Sequence, residues 1–462
     1  MPNYSNSKAT MYSSLKLEDY DISPTNGFLP THAPLTRLAD AYYEPWEKIM
    51  DKFNQHILAN RIRPLVRKMP VLDIDKLSTT AEYQRAFTIL GFMAHAYVWG
   101  RNGAASEGAS EFLPASISIP WVAVADILGM NPVICCAAVC HWNWQPLDED
   151  AEDMMDIGNL GTTSWFYLVT TAIEAKGARG INAILDGIAG VETDDVARSL
   201  HEAHELLARM YERCDPYVFY WKIREFLAGW ENMAEAGLPY GVLYEGVDDT
   251  DTFSLDNWQS LLRRFRKYAG GSAAQTPLLQ AFDIALGIKH YPTGEKGMQG
   301  SVRAARERLA KSGIEQPPPA NSYLVRMRDY MPGGHRRFLE DLAATCMIRE
   351  YVLLTCSDAL LAEQPNDQRA VLRLAYNRCV DLMRAFRDTH IMIVTRYIIA
   401  QAKRGPAMPT TNHPVPGPAK KAVAQGLART VDDDGVVRGT GGTDAIQFLK
   451  QVRNETASSR IQ

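Results

Sequence analysis

No CxxC pair occurs among the seven cysteines, which stand at positions 135, 136, 140, 214, 346, 356 and 379. An odd count inside apolar segments reads as reduced core thiols and excludes both a disulfide framework and a zinc site. Long apolar runs are missing too. The most apolar stretch, 117–144, is broken by Asp126, Asn131 and Pro132, short of the roughly 18 uninterrupted residues that span a bilayer. The opening MPNYSNSKATMYSS has no apolar core of the kind a secretory leader carries, so we expect a cytoplasmic protein. Positive charge is not in excess. With 49 Lys and Arg against 54 Asp and Glu the net charge is −5, which offers no field for nucleic acid or an anionic membrane. A small molecule is the expected partner, and nothing in the pattern calls for more than a monomer.

Period-two alternation is also absent, and with it the pattern of a half-buried sheet. Helical spacing takes its place. Tyr42 to Leu58 and Thr79 to Trp99 carry apolar residues at steps of three and four. Thr193 to Cys214 is amphipathic, with Val196, Leu200, Ala203, Leu207 and Met210 as its stripe, while His201 and His204 lie among charged residues and read as solvated. The 462 residues suffice for two domains. We expect an all-α protein: a disordered arm over 1–20, a small helical domain over 21–155 ending in the acidic run DEDAEDMMD, and a large helical domain over 156–462. Residues 289–321 read as a surface elaboration, and the proline-rich 404–440 as a flexible lid.

One histidine stands out in DLMRAFRDTHIMIVTRYII. Met383, Arg387, His390, Val394 and Tyr397 follow at steps of 4, 3, 4 and 3, so His390 sits on an apolar helical face. A neutral imidazole there has a free ring nitrogen for an axial metal bond and an apolar wall for a porphyrin. A hydrogen-bonded core histidine is the alternative reading of the same pattern. His335, in a glycine-rich basic turn, and His141, beside three cysteines, lack such a face. Arg224, in YWKIREFLAGW, lies among Trp221, Ile223, Phe226 and Trp230, where a guanidinium needs an anionic partner or a route to the surface.

Five blocks in order, YVFYWKIREFLAGWE, AGGSAAQTPLLQAFDIALGI, MRDYMPGGHRRFL, FRDTHIMIVTRYI and GTGGTDAIQFLK, resemble the signature segments of indoleamine 2,3-dioxygenases. The resemblance implies an all-helical enzyme that uses haem b, ferrous when active, held by His390. It implies a dioxygenase that opens the indole ring of L-tryptophan with O2 to N-formyl-L-kynurenine, the first step of the kynurenine route. By the same resemblance Arg224 holds the substrate carboxylate and Phe166 lines the indole pocket, while Tyr220 and Phe219, four and five residues before Arg224, are spaced to line the same pocket. Gly271, Ser272 and Ala273 lie against haem and substrate, Asp283 pairs with Arg387 near the proximal side, and Thr440 meets the substrate ammonium. Thr170 stands where mammalian members carry serine and the related tryptophan 2,3-dioxygenases histidine, so no protein acid or base is assigned to the chemistry. Cys136 replaces an aromatic residue of the mammalian indole pocket. These two departures keep open a haem-binding paralogue with weak turnover, or a dioxygenase of another indoleamine.

Overall fold

The computed structural model describes residues 15–100, 108–146, 155–156, 164–190, 194–249, 262–292, 322–356, 368–404 and 445–462. Helices dominate these residues, and strand pairing amounts to two two-residue contacts, Phe112–Leu113 parallel to Leu243–Tyr244 and Gln145–Pro146 antiparallel to Met155–Asp156, with a few isolated bridges. The all-α expectation holds. No helix among the described residues is long and apolar enough to cross a membrane.

The first long helix, α1 (Thr80–Trp99), starts where a reciprocal cap forms. The Thr79 hydroxyl accepts from the Glu82 amide while the Glu82 carboxylate accepts from the Thr79 amide. From Ala86 to Trp99 every residue of α1 is buried, so it runs through the core rather than along its edge. Helix α2 (Ala115–Leu128) packs on it and ends at Gly129, whose φ of 67° supplies the left-handed C-cap. His95 of α1 ties both halves of the chain together. Its Nε2 accepts from the Ile134 amide, so Nδ1 carries the proton and donates to the Phe226 carbonyl at 2.9 Å. Trp99 Nε1 donates to Ala228 O beside it.

Helix α3 (Ser164–Gly190) packs on α4 (Asp194–Ala208), and α4 on the long α7 (Gln368–Val394). Between them in sequence come α5 (Pro277–Ala285) and α6 (Gly333–Thr345), which pack on each other. The C-terminal α8 (Ala445–Ala457) lies along α7. One apolar cluster joins residues on both sides of the expected boundary at 155, from Phe28 and Trp121 to Phe282 and Met383. The last residues of the expected arm over 1–20, and the chain just after it, are built into this core: Leu17 opens a 3-10 turn, Tyr20 donates to Asp341 on α6, and Ile22, Phe28 and Leu29 are buried.

Candidate active site

A cavity of about 230 Å³ opens between α3, α4, α5, α7, α8 and the segment around Arg224. Phe166, Thr170 and Glu174, one helical turn apart along α3, form one wall. Phe386, Arg387, His390, Ile393 and Val394 of α7 form another, and Phe448, Leu449 and Val452 of α8 cover a third side.

The Arg224 wall depends on a local irregularity. Residues Phe219–Ile223 form a π-helical turn between Pro216–Val218 and Arg224–Leu227. With more residues per turn, it brings i and i+5 toward one face, so Phe219 and Arg224 both reach the cavity while Tyr220 does not line it. Tyr220 instead lies beneath the Arg224 guanidinium, 5.1 Å from ring centroid to guanidinium carbon. Arg224 is 1 % exposed, and burial pulls its pKa down to about 10, leaving it a cation at neutral pH. Phe219 and Phe166 face each other with ring centroids 4.6 Å apart.

The loop over the cavity is held by Gln275, which is buried. Its Oε1 accepts from the amides of Cys136 and Ser272, and its Nε2 donates to Gly270 O. Gly270 touches the chain at 227–229 so closely that a Cβ would stand 2.1 Å from the Leu227 carbonyl oxygen, so only glycine fits. Gly271, Ser272 and Ala273 then line the cavity. Cys136 is held just behind this loop and is not among the lining residues. Thr440 and the 404–440 lid fall outside the described residues apart from Arg404.

His390 opens onto the cavity, and its ring makes no hydrogen bond among the described residues. Burial, and then the charge of Arg387, bring its pKa down to about 4, so the imidazole is neutral. The helix is fixed on both sides of it. One turn earlier, Arg387 forms two bonds to Asp283, 2.7 and 2.6 Å, and another to Thr456 Oγ1 of α8. One residue earlier, Thr389 Oγ1 meets His204 Nε2 at 2.9 Å, so His204 is part of the packing and not the solvated residue its charged neighbours suggested. His201 is exposed, beside Glu205. His290, placed by its sequence context in a surface loop, is largely enclosed between two carboxylates, 3.0 Å from Asp283 and 2.7 Å from Glu455 of α8. For Asp283 burial pushes the pKa up, but Arg387 and His290 outweigh it and hold the carboxyl below its ordinary value. His335 and His141 are buried away from the cavity lining.

The sequence profile described as indoleamine 2,3-dioxygenase matches residues 16–459. The chain belongs to the indoleamine 2,3-dioxygenase family. It is 34 % identical to the indoleamine 2,3-dioxygenase of Saccharomyces cerevisiae over 96 % of this chain and 93 % of that protein. Identity to indoleamine 2,3-dioxygenase 2 of Homo sapiens is 32 %, over 96 % and 95 %. A 6-hydroxytryptophan 2,3-dioxygenase of Fusarium equiseti is 29 % identical over 96 % and 97 %. As a member of this family the chain is an oxidoreductase of the dioxygenase class. The residues present fit the haem implied for such a dioxygenase: a neutral imidazole, free of hydrogen bonds among the described residues, faces an apolar cavity from a helix fixed by an ion pair one turn away.

Proposed function

We propose that this chain uses haem b, ferrous when active, to insert both atoms of O2 across the indole C2=C3 bond of L-tryptophan, giving N-formyl-L-kynurenine. One observation carries the reading: the buried Arg224 cation and the hydrogen-bond-free His390 imidazole line the same apolar cavity. His390 would hold the iron, with Arg387 and Asp283 steadying its helix and Gly271, Ser272 and Ala273 along the edge. Haem, when bound, supplies the activation of dioxygen.

The protein's part is position and exclusion of water. Arg224 is suited to a carboxylate, because a planar guanidinium gives two parallel donors in a site where water cannot compete. Phe166 and Phe219 offer faces for an indole ring, and Thr170 offers a single hydroxyl. Among the described residues, no lining group is poised as an ionised base at neutral pH: Asp283 is tied to Arg387, and burial raises the Glu174 carboxyl to about 8. Substrate orientation, and not proton abstraction by a side chain, is therefore the contribution of these residues.

A hydroxylated tryptophan is the second reading, favoured by the similarity to the Fusarium 6-hydroxytryptophan enzyme. The test is turnover by the haem-reconstituted, reduced protein with L-tryptophan, 6-hydroxytryptophan and tryptamine in parallel. The proposal expects the highest kcat/KM with L-tryptophan and the lowest with tryptamine, which lacks a carboxylate. Preference for tryptamine would overturn it, and preference for the hydroxylated amino acid would install the second reading.

A further inference from the structure

Behind the α3 wall of the cavity lies a group of buried polar side chains that the proposed reaction does not use. Glu174, His141 and His335 are 1 %, 0 % and 3 % exposed. Both carboxylate oxygens of Glu174, both ring nitrogens of His141 and Nδ1 of His335 have no hydrogen-bond partner among the described residues. Glu174 faces the cavity on one side, and its Oε2 lies 3.9 Å from His141 Nε2 on the other. The His141 and His335 rings follow at a centroid distance of 5.9 Å. His335 Nε2 then meets the carbonyl oxygen of Asp21, an exposed residue, at 3.3 Å. The three side chains thus form a line from the cavity to the surface.

Five buried polar atoms in one place are costly if left unsatisfied by protein, and native interiors answer such clusters with ordered water. The 3.9 Å gap is too long for a direct hydrogen bond and suits a bridging water. An ion pair does not replace that water. Burial raises the carboxyl and pulls His141 well below the ordinary imidazole value, with His335 adding to the latter, so both groups are neutral at pH 7. The other groups facing them do not change this: the Cys136 and Cys140 thiols from the same turn as His141, Thr170 and Thr171 from α3, and Arg224 across the cavity. A metal is not indicated either, since no set of three ligating side chains among the described residues is arranged to hold one.

We propose that Glu174, His141 and His335, bridged by buried water, form a proton relay between the cavity and the surface beside Asp21, with Glu174 as the proton carrier at the cavity end. A proton leaving the Glu174 carboxyl on its His141 side passes by way of the bridging water to the imidazoles in turn, each accepting at one nitrogen as it releases from the other. His335 accepts at Nδ1 and releases its Nε2 proton, held at rest by the Asp21 carbonyl, to surface water, while Glu174 takes up the proton delivered at the cavity, so no electron moves and no net charge remains. The relay does not depend on which indoleamine is oxidised.

Infrared spectroscopy of the holoprotein tests it through the C=O stretch of a protonated carboxyl. At pH 7 an acid band should be present in wild type and absent in Glu174→Gln. Transfer into D2O should shift that band rapidly in wild type and at least about tenfold more slowly in His141→Leu and in His335→Leu. Circular dichroism and haem content identify folded variants, and either histidine variant alone suffices. The proposal is overturned if Glu174→Gln removes no acid band, if exchange is equally fast in the folded histidine variants, or if the purified protein retains one equivalent of a transition metal bound by these residues.

Discussion

The Asp283 clasp makes the most quantitative claim about how this fold supports His390. Asp283 and Arg387 have side-chain exposures of 7 % and 11 %, and His290 and Glu455 complete a group of two cations and two anions when His290 is protonated. Asp283→Asn would leave Arg387 and His290 facing Glu455 alone. Breaking a buried ion pair by removing one partner costs about 3–5 kcal/mol, because the remaining charge stays desolvated. Replacing both by apolar groups costs far less. In the double variant Asp283→Leu/Arg387→Met the His290–Glu455 pair still balances, so stability should return to within about 1 kcal/mol of wild type. The assay is urea unfolding of the haem-free protein for wild type, Asp283→Asn, the single variants Asp283→Leu and Arg387→Met, and the double, provided the slopes agree. A parallel measurement follows haem transfer to an excess of a globin scavenger, which should be fastest in the single variants. If Asp283→Asn costs under about 1 kcal/mol, or if the single effects simply add in the double, the clasp does not hold the helix as described.

Three further outcomes follow from the same geometry. Arg224→Ala should lower kcat/KM for L-tryptophan on the order of 100-fold, from the few kcal/mol of a desolvated ion pair, while tryptamine turnover changes little; equal losses would mean that Arg224 maintains the pocket and does not read a carboxylate. Gly270→Ala should destabilise the protein by about 3 kcal/mol or more and empty the soluble fraction of haem-competent protein, because its Cβ would meet backbone at 2.1 Å; a wild-type melting temperature would contradict this. The clasp should also depend on pH in both directions. Burial lowers the His290 pKa, but Asp283 and Glu455 outweigh it and raise it, so its contribution is complete below the ordinary imidazole value and is lost as pH rises through the folded one. Asp283, held low, contributes fully above the ordinary carboxylate value and loses this as pH falls. The clasp is therefore strongest between about pH 4 and 6.5, and His290→Gln should abolish only the alkaline decline in melting temperature.

Periodicity made the helices legible because each buries one stripe or all of its faces. Helix α1 runs from Thr80 to Trp99, as the spacing over Thr79 to Trp99 predicts, and His390 stands on the helical face where its spacing puts it. The pairing of Asp283 with Arg387 came from family resemblance, and the structure brings the two together. What escaped was everything set by packing at long range. His290 reads as a loop residue because its two carboxylate partners lie 7 and 165 residues away, the second on a helix that docks only in the folded chain. His204 looks solvated among its charged neighbours because its partner Thr389 is 185 residues off. The π turn at Phe219–Ile223 leaves no mark in an α-helical count, so Tyr220 appeared to share the cavity face of Arg224. Gln275 could have been found: a polar residue three after Ser272, in a glycine-rich loop, fits a capping box.

The central claim is that His390 holds haem for the dioxygenase chemistry of this chain, and one comparison addresses it directly. Wild type and His390→Ala are each reconstituted with haem, reduced, and mixed with L-tryptophan under oxygen while the Soret band and the near-ultraviolet absorption of N-formylkynurenine are followed together. Wild type should bind one haem and form product. The variant should remain soluble, because α7 keeps its ion pair and apolar contacts, but it should fail to retain haem and form no product. A variant that keeps one equivalent of haem with an unchanged Soret band and still makes product would place the axial ligand elsewhere and contradict the account.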